Sequence, residues 1–163
     1  MSVEITLTRD EIVFAAQGGL MRNIENLLKG GKPRFGHPYE QLWARHINGA
    51  HAELAVAKYL GVYWTPVYEK WANGLPDLPG GREVRSITRP GKPLAFYEGN
   101  KPERKYLLVH VETPKLTLIG WLFGHEIMRD EWLAGTDDKG KRRWEAPQSA
   151  LRPINPTEQA AAA

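Results

Sequence analysis

The chain contains no cysteine, which excludes disulfide bonds and thiolate metal sites. It also lacks an apolar run long enough to span a bilayer, and its first residues do not have the pattern of a signal peptide. No phosphate-binding loop, dinucleotide fingerprint or nucleophile elbow is present, and no histidine pair has the spacing of a zinc site. These absences predict a cytoplasmic protein without a membrane span or a common nucleotide-binding motif.

The composition is ordinary for one soluble domain. Of the 163 residues, 42% are hydrophobic and 25% are charged, and a chain of this size buries a sizeable core without cross-links. We expect a single domain over residues 1–154 and a flexible tail over residues 155–163. The composition leaves the oligomeric state open.

The net charge is only +3, but the cations are clustered. Between residues 82 and 105, seven lysines and arginines stand against three glutamates. Clustered cations can follow a phosphate backbone, so we take four of them as candidate DNA contacts: Arg89, Lys101, Arg104 and Lys105. The alternative is a solvated charged face. A second basic run over residues 139–143 is better explained as part of a charged turn.

Two helices are predicted in the first 60 residues. Thr8 and Glu11 have the spacing of a capping box. A helix is then predicted to about Lys29, with an apolar stripe that repeats every four residues: Ile12, Ala16, Leu20, Ile24 and Leu28. A second helix is predicted from about Tyr39 to Leu60, where Gly61 ends it.

Strands are predicted to dominate the second half of the chain. The clearest is Tyr106–Glu112, and residues 116–124 return after the short turn at residues 113–115, which predicts a β-hairpin. Shorter strands are predicted over residues 83–88 and 94–98. Because the helices come first and the strands later, we expect an α/β (α+β) fold in which helices flank a mixed β-sheet.

The most informative stretch is residues 76–85, where Asp77 precedes a glycine-rich turn and Glu83 opens a strand. Side chains alternate along a strand, so Glu83 and Arg85 are expected to point one way and Val84 the other. Two carboxylates and a cation at one strand end suit a metal-dependent phosphodiester hydrolase. The competing interpretation is a turn aspartate followed by an exposed strand.

A third carboxylate is predicted near them, on the second helix. Glu53 shares a helical face with the small or apolar residues Ala50, Ala57 and Leu60. A carboxylate on such a face is costly to bury unless it meets a cation or hydrogen-bond donors. The competing interpretation is that Glu53 lies at the edge of this face and reaches water.

The motif Pro76-Asp77, a short linker and then Glu83-Val84-Arg85 resembles the signature of the PD-(D/E)XK nuclease superfamily. The helix that carries Glu53 resembles the acidic helix that precedes the aspartate strand in that superfamily. The resemblance covers roughly residues 42–124 and implies a restriction-endonuclease-like core. The chain is also similar to small phage and prophage proteins with an Asp…Glu-Val-Arg strand, which implies a phage origin and the cytoplasm of a host cell.

The resemblance implies Mg²⁺- or Mn²⁺-dependent cleavage of DNA. Asp77 and Glu83 would bind the metal together with the Val84 carbonyl, and Glu53 would hold a second ion or orient a metal-bound water. Arg85 would contact the scissile phosphate. The chain departs from the family in two ways: Arg85 stands where the family has lysine, and residues 113–115 leave no room for the helix that usually joins the last two core strands.

Two other functions remain open at this stage. A catalytically inactive nuclease-fold protein would bind DNA or a host protein as an accessory factor or inhibitor, and Arg85 favours this alternative because arginine is a poor proton acceptor. A structural or virion-associated protein would reuse the fold for an interface. Fold alone does not decide among them.

Overall fold

The computed structural model describes residues 2–30, 39–66, 74–136 and 140–156, without the side chains of residues 39 and 40. Two long helices are followed by strands, as the sequence predicts. Strand β1 (Val3–Thr6) precedes helices α1 (Arg9–Leu28) and α2 (Tyr39–Leu60). Lys139 and residues 157–163 of the predicted tail lie outside the described residues.

The remaining elements form strands and short helical turns. These are β2 (Arg82–Ile87), β3 (Leu94–Tyr97), β4 (Lys105–Glu112), β5 (Lys115–Phe123), α3 (Gly124–Ile127), a 3₁₀ turn (Asp130–Trp132), β6 (Leu133–Thr136), β7 (Arg142–Ala146) and a second 3₁₀ turn (Gln148–Ala150). None of the helices in the described ranges is long and apolar enough to cross a membrane.

The central sheet is mixed and has the strand order β1-β5-β4-β2. Strand β4 pairs with β5 as an antiparallel hairpin and with β2 in parallel, so that Glu83 stands beside Tyr106 and Ile87 beside His110. The fold class is therefore α+β with a mixed sheet, as predicted. The tight β4–β5 turn also confirms that no helix separates these two strands.

The two faces of the central sheet are covered differently. Helices α1 and α2 pack on one face, where Ala50, Val56, Val84 and Leu107 share a core. A second antiparallel sheet, with the order β3-β7-β6, lies on the other face, where Phe96 and Trp144 pack on Tyr106 and Leu108. Edge-to-face contact between Phe96 and Tyr106, with ring centroids 5.1 Å apart, joins the two sheets.

The packing face of α1 differs from the predicted stripe. Leu20 is 40% exposed and Leu28 is 78% exposed, while the buried residues are Ala15, Gly18, Gly19, Arg22 and Asn23. The small residues are buried because α1 approaches α2 closely. A Cβ atom on Gly19 would lie 2.6 Å from the backbone oxygen of His46, so glycine sets the distance between the helices.

The predicted capping box at the start of α1 is confirmed and is tied to α2. The Thr8 amide donates to Glu11 Oε2 at 2.7 Å, and the Glu11 amide donates to Thr8 Oγ1 at 3.3 Å. Lys58 Nζ lies 2.8 Å from the same Glu11 oxygen. The cap therefore links the first turn of α1 to the last turn of α2. This link helps to hold together the two helices between which Glu53 is buried.

Candidate active site

The turn between Asp77 and β2 is a closed loop that folds Asp77 back onto the strand. Leu78 and Arg82 exchange backbone hydrogen bonds of 3.0 and 3.3 Å, and Gly80 and Gly81 adopt positive φ angles of 76° and 67° between them. The Val84 amide then donates to Asp77 Oδ2 at 2.9 Å. The glycine pair thus places the Asp77 carboxylate beside the first residues of β2, as the motif predicts.

Glu53 is buried in the helix layer, with only 4% of its surface exposed. Its two oxygens each accept a 2.6 Å hydrogen bond from the Arg22 guanidinium, and Oε2 also accepts one from Trp64 Nε1 at 2.8 Å. The interpretation in which Glu53 reaches water is therefore wrong. The bidentate pair supplies the cation that a buried carboxylate requires.

Glu83 and Arg85 point away from the helices, toward the face covered by the second sheet. Arg104 Nη1 lies 2.5 Å from Glu83 Oε1, and Arg85 Nη1 lies 3.6 Å from Glu83 Oε2. The Arg85 guanidinium also sits 5.1 Å from the centre of the Tyr106 ring. Because Val84 belongs to the helix-side core, Glu53 and Glu83 approach the edge strand β2 from opposite faces.

The Asp77 carboxyl group is close enough to Glu53 and to Glu83 that the charges of both glutamates change its pKa. Burial, and after it the charges of Glu53 and Glu83, raise the pKa of Asp77 from its ordinary 3.8 to about 7. The Arg85 charge and the Val84 amide act in the opposite sense but are weaker. The three predicted carboxylates therefore interact at Asp77, and a positive ion placed there would relieve their repulsion.

The three carboxylates do not form one cage of metal ligands. Among the residues that the structure describes, no group of three or more histidine, aspartate or glutamate side chains has that arrangement. Both oxygens of Glu53 already accept charge-assisted hydrogen bonds. Asp77 and Glu83 are the two remaining carboxylates of the motif, and Mg²⁺ often binds one or two carboxylates and keeps several waters. Arg104 would have to release its oxygen of Glu83 when an ion binds there.

Tyr106 adds a feature to this site that the sequence did not point to. Burial raises the pKa of Tyr106 to about 12. Its hydroxyl donates to the Lys101 carbonyl at 3.0 Å, while its ring lies under the Arg85 guanidinium. The Tyr106 hydroxyl therefore stays protonated at physiological pH. The face of its ring holds the Arg85 guanidinium through a cation–π contact.

Arg22 is the residue of the candidate site that motif reasoning missed. It lies on α1, 31 positions before its partner Glu53. The signal was available in the small residues Ala15, Gly18 and Gly19, which share a helical face with Arg22 and mark the side of α1 that packs closely. An arginine next to such a face is well placed to meet a buried acid on the neighbouring helix.

The four candidate DNA-binding cations do not form one surface. Arg89 and Lys101 are exposed, whereas Arg104 pairs with Glu83 and donates to the Gly74 carbonyl. Lys105 Nζ sits 4.4 Å from the centre of the Trp121 ring, on the helix side of the sheet. Arg104 therefore belongs to the carboxylate site, and the predicted basic stretch divides between the two faces.

The histidines of α2 have structural surroundings. His51 is buried and its ring nitrogens lie 3.1 Å from the Ile12 carbonyl and from Thr113 Oγ1. His46 lies nearer the site: burial lowers its pKa, and the Arg22 and Arg45 charges lower it further. His46 is therefore neutral at physiological pH beside the Arg22–Glu53 pair.

Comparison of the chain with models of known families, with curated proteins and with solved structures gives no match.

Proposed function

We propose that the protein is a divalent-metal-dependent phosphodiesterase that cleaves DNA, with Asp77 and Glu83 as the ligands of Mg²⁺ or Mn²⁺. The observation that carries this proposal is the position of Asp77. It is held on β2 by the Val84 amide, and the charges of Glu53 and Glu83 act on it. A carboxyl group in such surroundings binds either a proton or a cation near neutral pH.

The residues around the proposed ion have separate roles. Arg85 would hold the phosphate: its guanidinium is fixed over Tyr106, and it stays charged and cannot act as a base. A bound ion would polarise the phosphoryl oxygen and supply hydroxide near neutral pH. Glu53, with both oxygens bound to Arg22, is better suited to positioning and to local charge than to direct ligation of a second ion.

The alternative is a catalytically inactive protein that binds DNA or a host protein. One observation favours it: Arg22 and Arg104 already neutralise Glu53 and Glu83, so the glutamates are satisfied without a metal. In this alternative the arginines replace the cation permanently. Exposed Arg89 and Lys101 would then serve contacts with DNA or with an acidic partner surface.

Plasmid cleavage separates the two functions. The wild-type protein is expected to nick supercoiled DNA in Mg²⁺ or Mn²⁺, and Asp77→Asn and Glu83→Gln are each expected to reduce the rate at least about a hundredfold. Glu112→Gln is the matched control because Glu112 is an exposed carboxylate at the far end of β4. Salt-sensitive DNA binding without cleavage would favour the inactive alternative instead.

A further inference from the structure

Arg104 closes the Glu83 side of the candidate site. It stands in the turn that leads into β4, and only 16% of its side chain is exposed. Its Nη1 atom donates to Glu83 Oε1 at 2.5 Å, and its Nη2 atom donates to the Gly74 carbonyl. One guanidinium therefore ties the strand that carries Glu83 to the segment that leads into Asp77.

The two arginines beside Glu83 hold its carboxylate to different degrees. Arg85 Nη1 lies 3.6 Å from Glu83 Oε2 and donates to the Val84 carbonyl at 3.3 Å, and 32% of the Arg85 side chain is exposed. Arg104 is closer to its oxygen of Glu83 and more deeply buried. Glu83 therefore has one tight cationic partner, Arg104, and one loose partner, Arg85.

The charges of the site are close to balanced without an added ion. When Asp77 is ionised, Asp77 and Glu83 carry two negative charges, and Arg85 and Arg104 carry two positive charges. A divalent ion between the two carboxylates would add two positive charges beside the Arg104 guanidinium. Like charges a few ångströms apart repel strongly where water is partly excluded. Glu83 therefore cannot hold the ion and Arg104 together without a large electrostatic penalty.

We propose that Arg104 is the resident cation of this site and competes with a divalent ion for Glu83. The inference rests on the proposed function, because it concerns the same two carboxylates. Arg104 holds the ion-free form together, and it lowers the affinity for the ion by the free energy of its contact with Glu83. Arg85 does not have to move, because its guanidinium is held mainly by the Tyr106 ring.

A purely structural role for Arg104 gives a different expectation. An arginine that only stabilises the turn before β4 would lower the stability of the protein when it is replaced, and the affinity for the ion would stay the same or fall. A competing arginine raises the affinity when it is replaced, because Glu83 no longer has to exchange one cation for another. The sign of the change in ion affinity therefore separates competition from structural support.

Binding of Mn²⁺ to the full chain at pH 8, followed by electron paramagnetic resonance, measures this sign. Arg104→Gln is expected to bind at least about tenfold more tightly than the wild type, because it removes a hydrogen bond between two charged groups. Arg104→Lys keeps the charge but lacks the fork that bridges Glu83 and Gly74, so its affinity should lie between the two. Arg142→Gln is the matched control: it removes the same charge from an exposed pair with Glu98 and should bind as the wild type does.

The outcomes separate this inference from the proposed metal-dependent function. If Arg104→Gln binds Mn²⁺ and the wild type does not, Arg104 keeps the ion out, so the inference holds and metal-dependent cleavage by the wild type fails. If both bind equally and Asp77→Asn abolishes binding, the metal site stands and the competition is overturned. If neither binds at millimolar Mn²⁺, both proposals are overturned.

A measurement on the wild type covers the case in which the Arg104 variants do not fold. Titration of the ¹⁵N-labelled protein with Mg²⁺, followed by NMR, should shift the Arg104 Nε–H signal and leave that of Arg142 unchanged. The Val84 amide, which donates to Asp77, reports ion binding independently. A Val84 signal that shifts while the Arg104 signal stays in place would overturn the competition.

Discussion

The Asp77 carboxyl group couples the site to pH. Its pKa is raised to about 7 in the folded protein, above the ordinary value of 3.8, so the folded state retains a proton that the unfolded state releases between these pH values. Stability from this group is complete below about pH 4 and is lost as the pH rises through 7. At neutral pH, Asp77 therefore costs stability, which is typical of a functional group.

Asp77→Asn should reveal this cost. The variant removes the titrating group and keeps an oxygen for the Val84 amide, so its free energy of unfolding relative to wild type should rise by about 2 to 4 kcal/mol between pH 4 and pH 8. Urea unfolding at the two pH values measures the difference. A constant difference between the variant and the wild type would contradict the raised pKa.

The Arg22–Glu53 ion pair joins α1 to α2 through two buried charges. Neutralising one of the two side chains should therefore lower the stability of the protein. Glu53→Gln leaves Arg22 buried without its counter-charge while Trp64 keeps an acceptor, so we expect a loss of about 3 to 5 kcal/mol in the free energy of unfolding. Urea denaturation of the variant measures this loss.

The double variant Arg22→Met with Glu53→Gln is the control for that loss. It removes both charges, and we expect it to recover at least half of the stability that Glu53→Gln loses. If the double variant were as unstable as the sum of the two single variants, the pair would not be the energetic unit that its geometry indicates.

The contact between α1 and α2 depends on a glycine. Gly19→Ala places a Cβ atom 2.6 Å from the His46 oxygen and the Ile47 Cα atom, and we expect it to destabilise the protein by about 2 kcal/mol or more despite the better helix propensity of alanine. Gly49→Ala is the matched control on α2, because its Cβ atom meets nothing within 4 Å. That control should gain up to about 1 kcal/mol. Thermal unfolding compares the two, and equal effects would contradict the close approach.

At the scale of elements, local sequence signals predicted the ends of helices and the hairpin, whereas hydrophobic periodicity did not predict the packing face of α1. The Thr8–Glu11 capping box, the end of α2 near Gly61 and the β4–β5 hairpin follow from short-range chemistry, and each is confirmed. The predicted stripe on α1 is wrong at Leu20 and Leu28, which are exposed, because the pattern ranks residues by hydrophobicity alone. The packing face of α1 is set instead by the close approach of Gly19 to α2 and by the ion pair between Arg22 and Glu53. Both contacts involve residues of α2 that are far from α1 in the sequence.

At the scale of the whole molecule, the sequence predicts the fold class but not the second sheet. Strand β6 is exposed along its length and pairs with β7 at the edge of the second sheet, so its residues carry no alternation that would predict a strand. This layer matters for the site. It covers Tyr106, whose ring lies under the Arg85 guanidinium, on the face opposite to the helices.

The arrangement of the candidate site was predictable in part. The motif predicted the placement of Asp77 on β2 and the shared side of Glu83 and Arg85, because turn chemistry and strand alternation are local. The positions of Arg22 and Arg104 were not predictable, since both reach their glutamates through tertiary packing. Metal binding and DNA cleavage stay predictions that depend on whether a cation displaces Arg104.

Binding of Mn²⁺ at pH 8, followed by electron paramagnetic resonance, tests the metal site without requiring activity. We expect the wild-type protein to bind one ion, Asp77→Asn and Glu83→Gln to bind at least about tenfold more weakly, and Glu112→Gln to bind as the wild type does. Saturable binding that disappears with Asp77 and Glu83 is the predicted result. Failure of the wild type to bind, or undiminished binding by both variants, would contradict the proposed site.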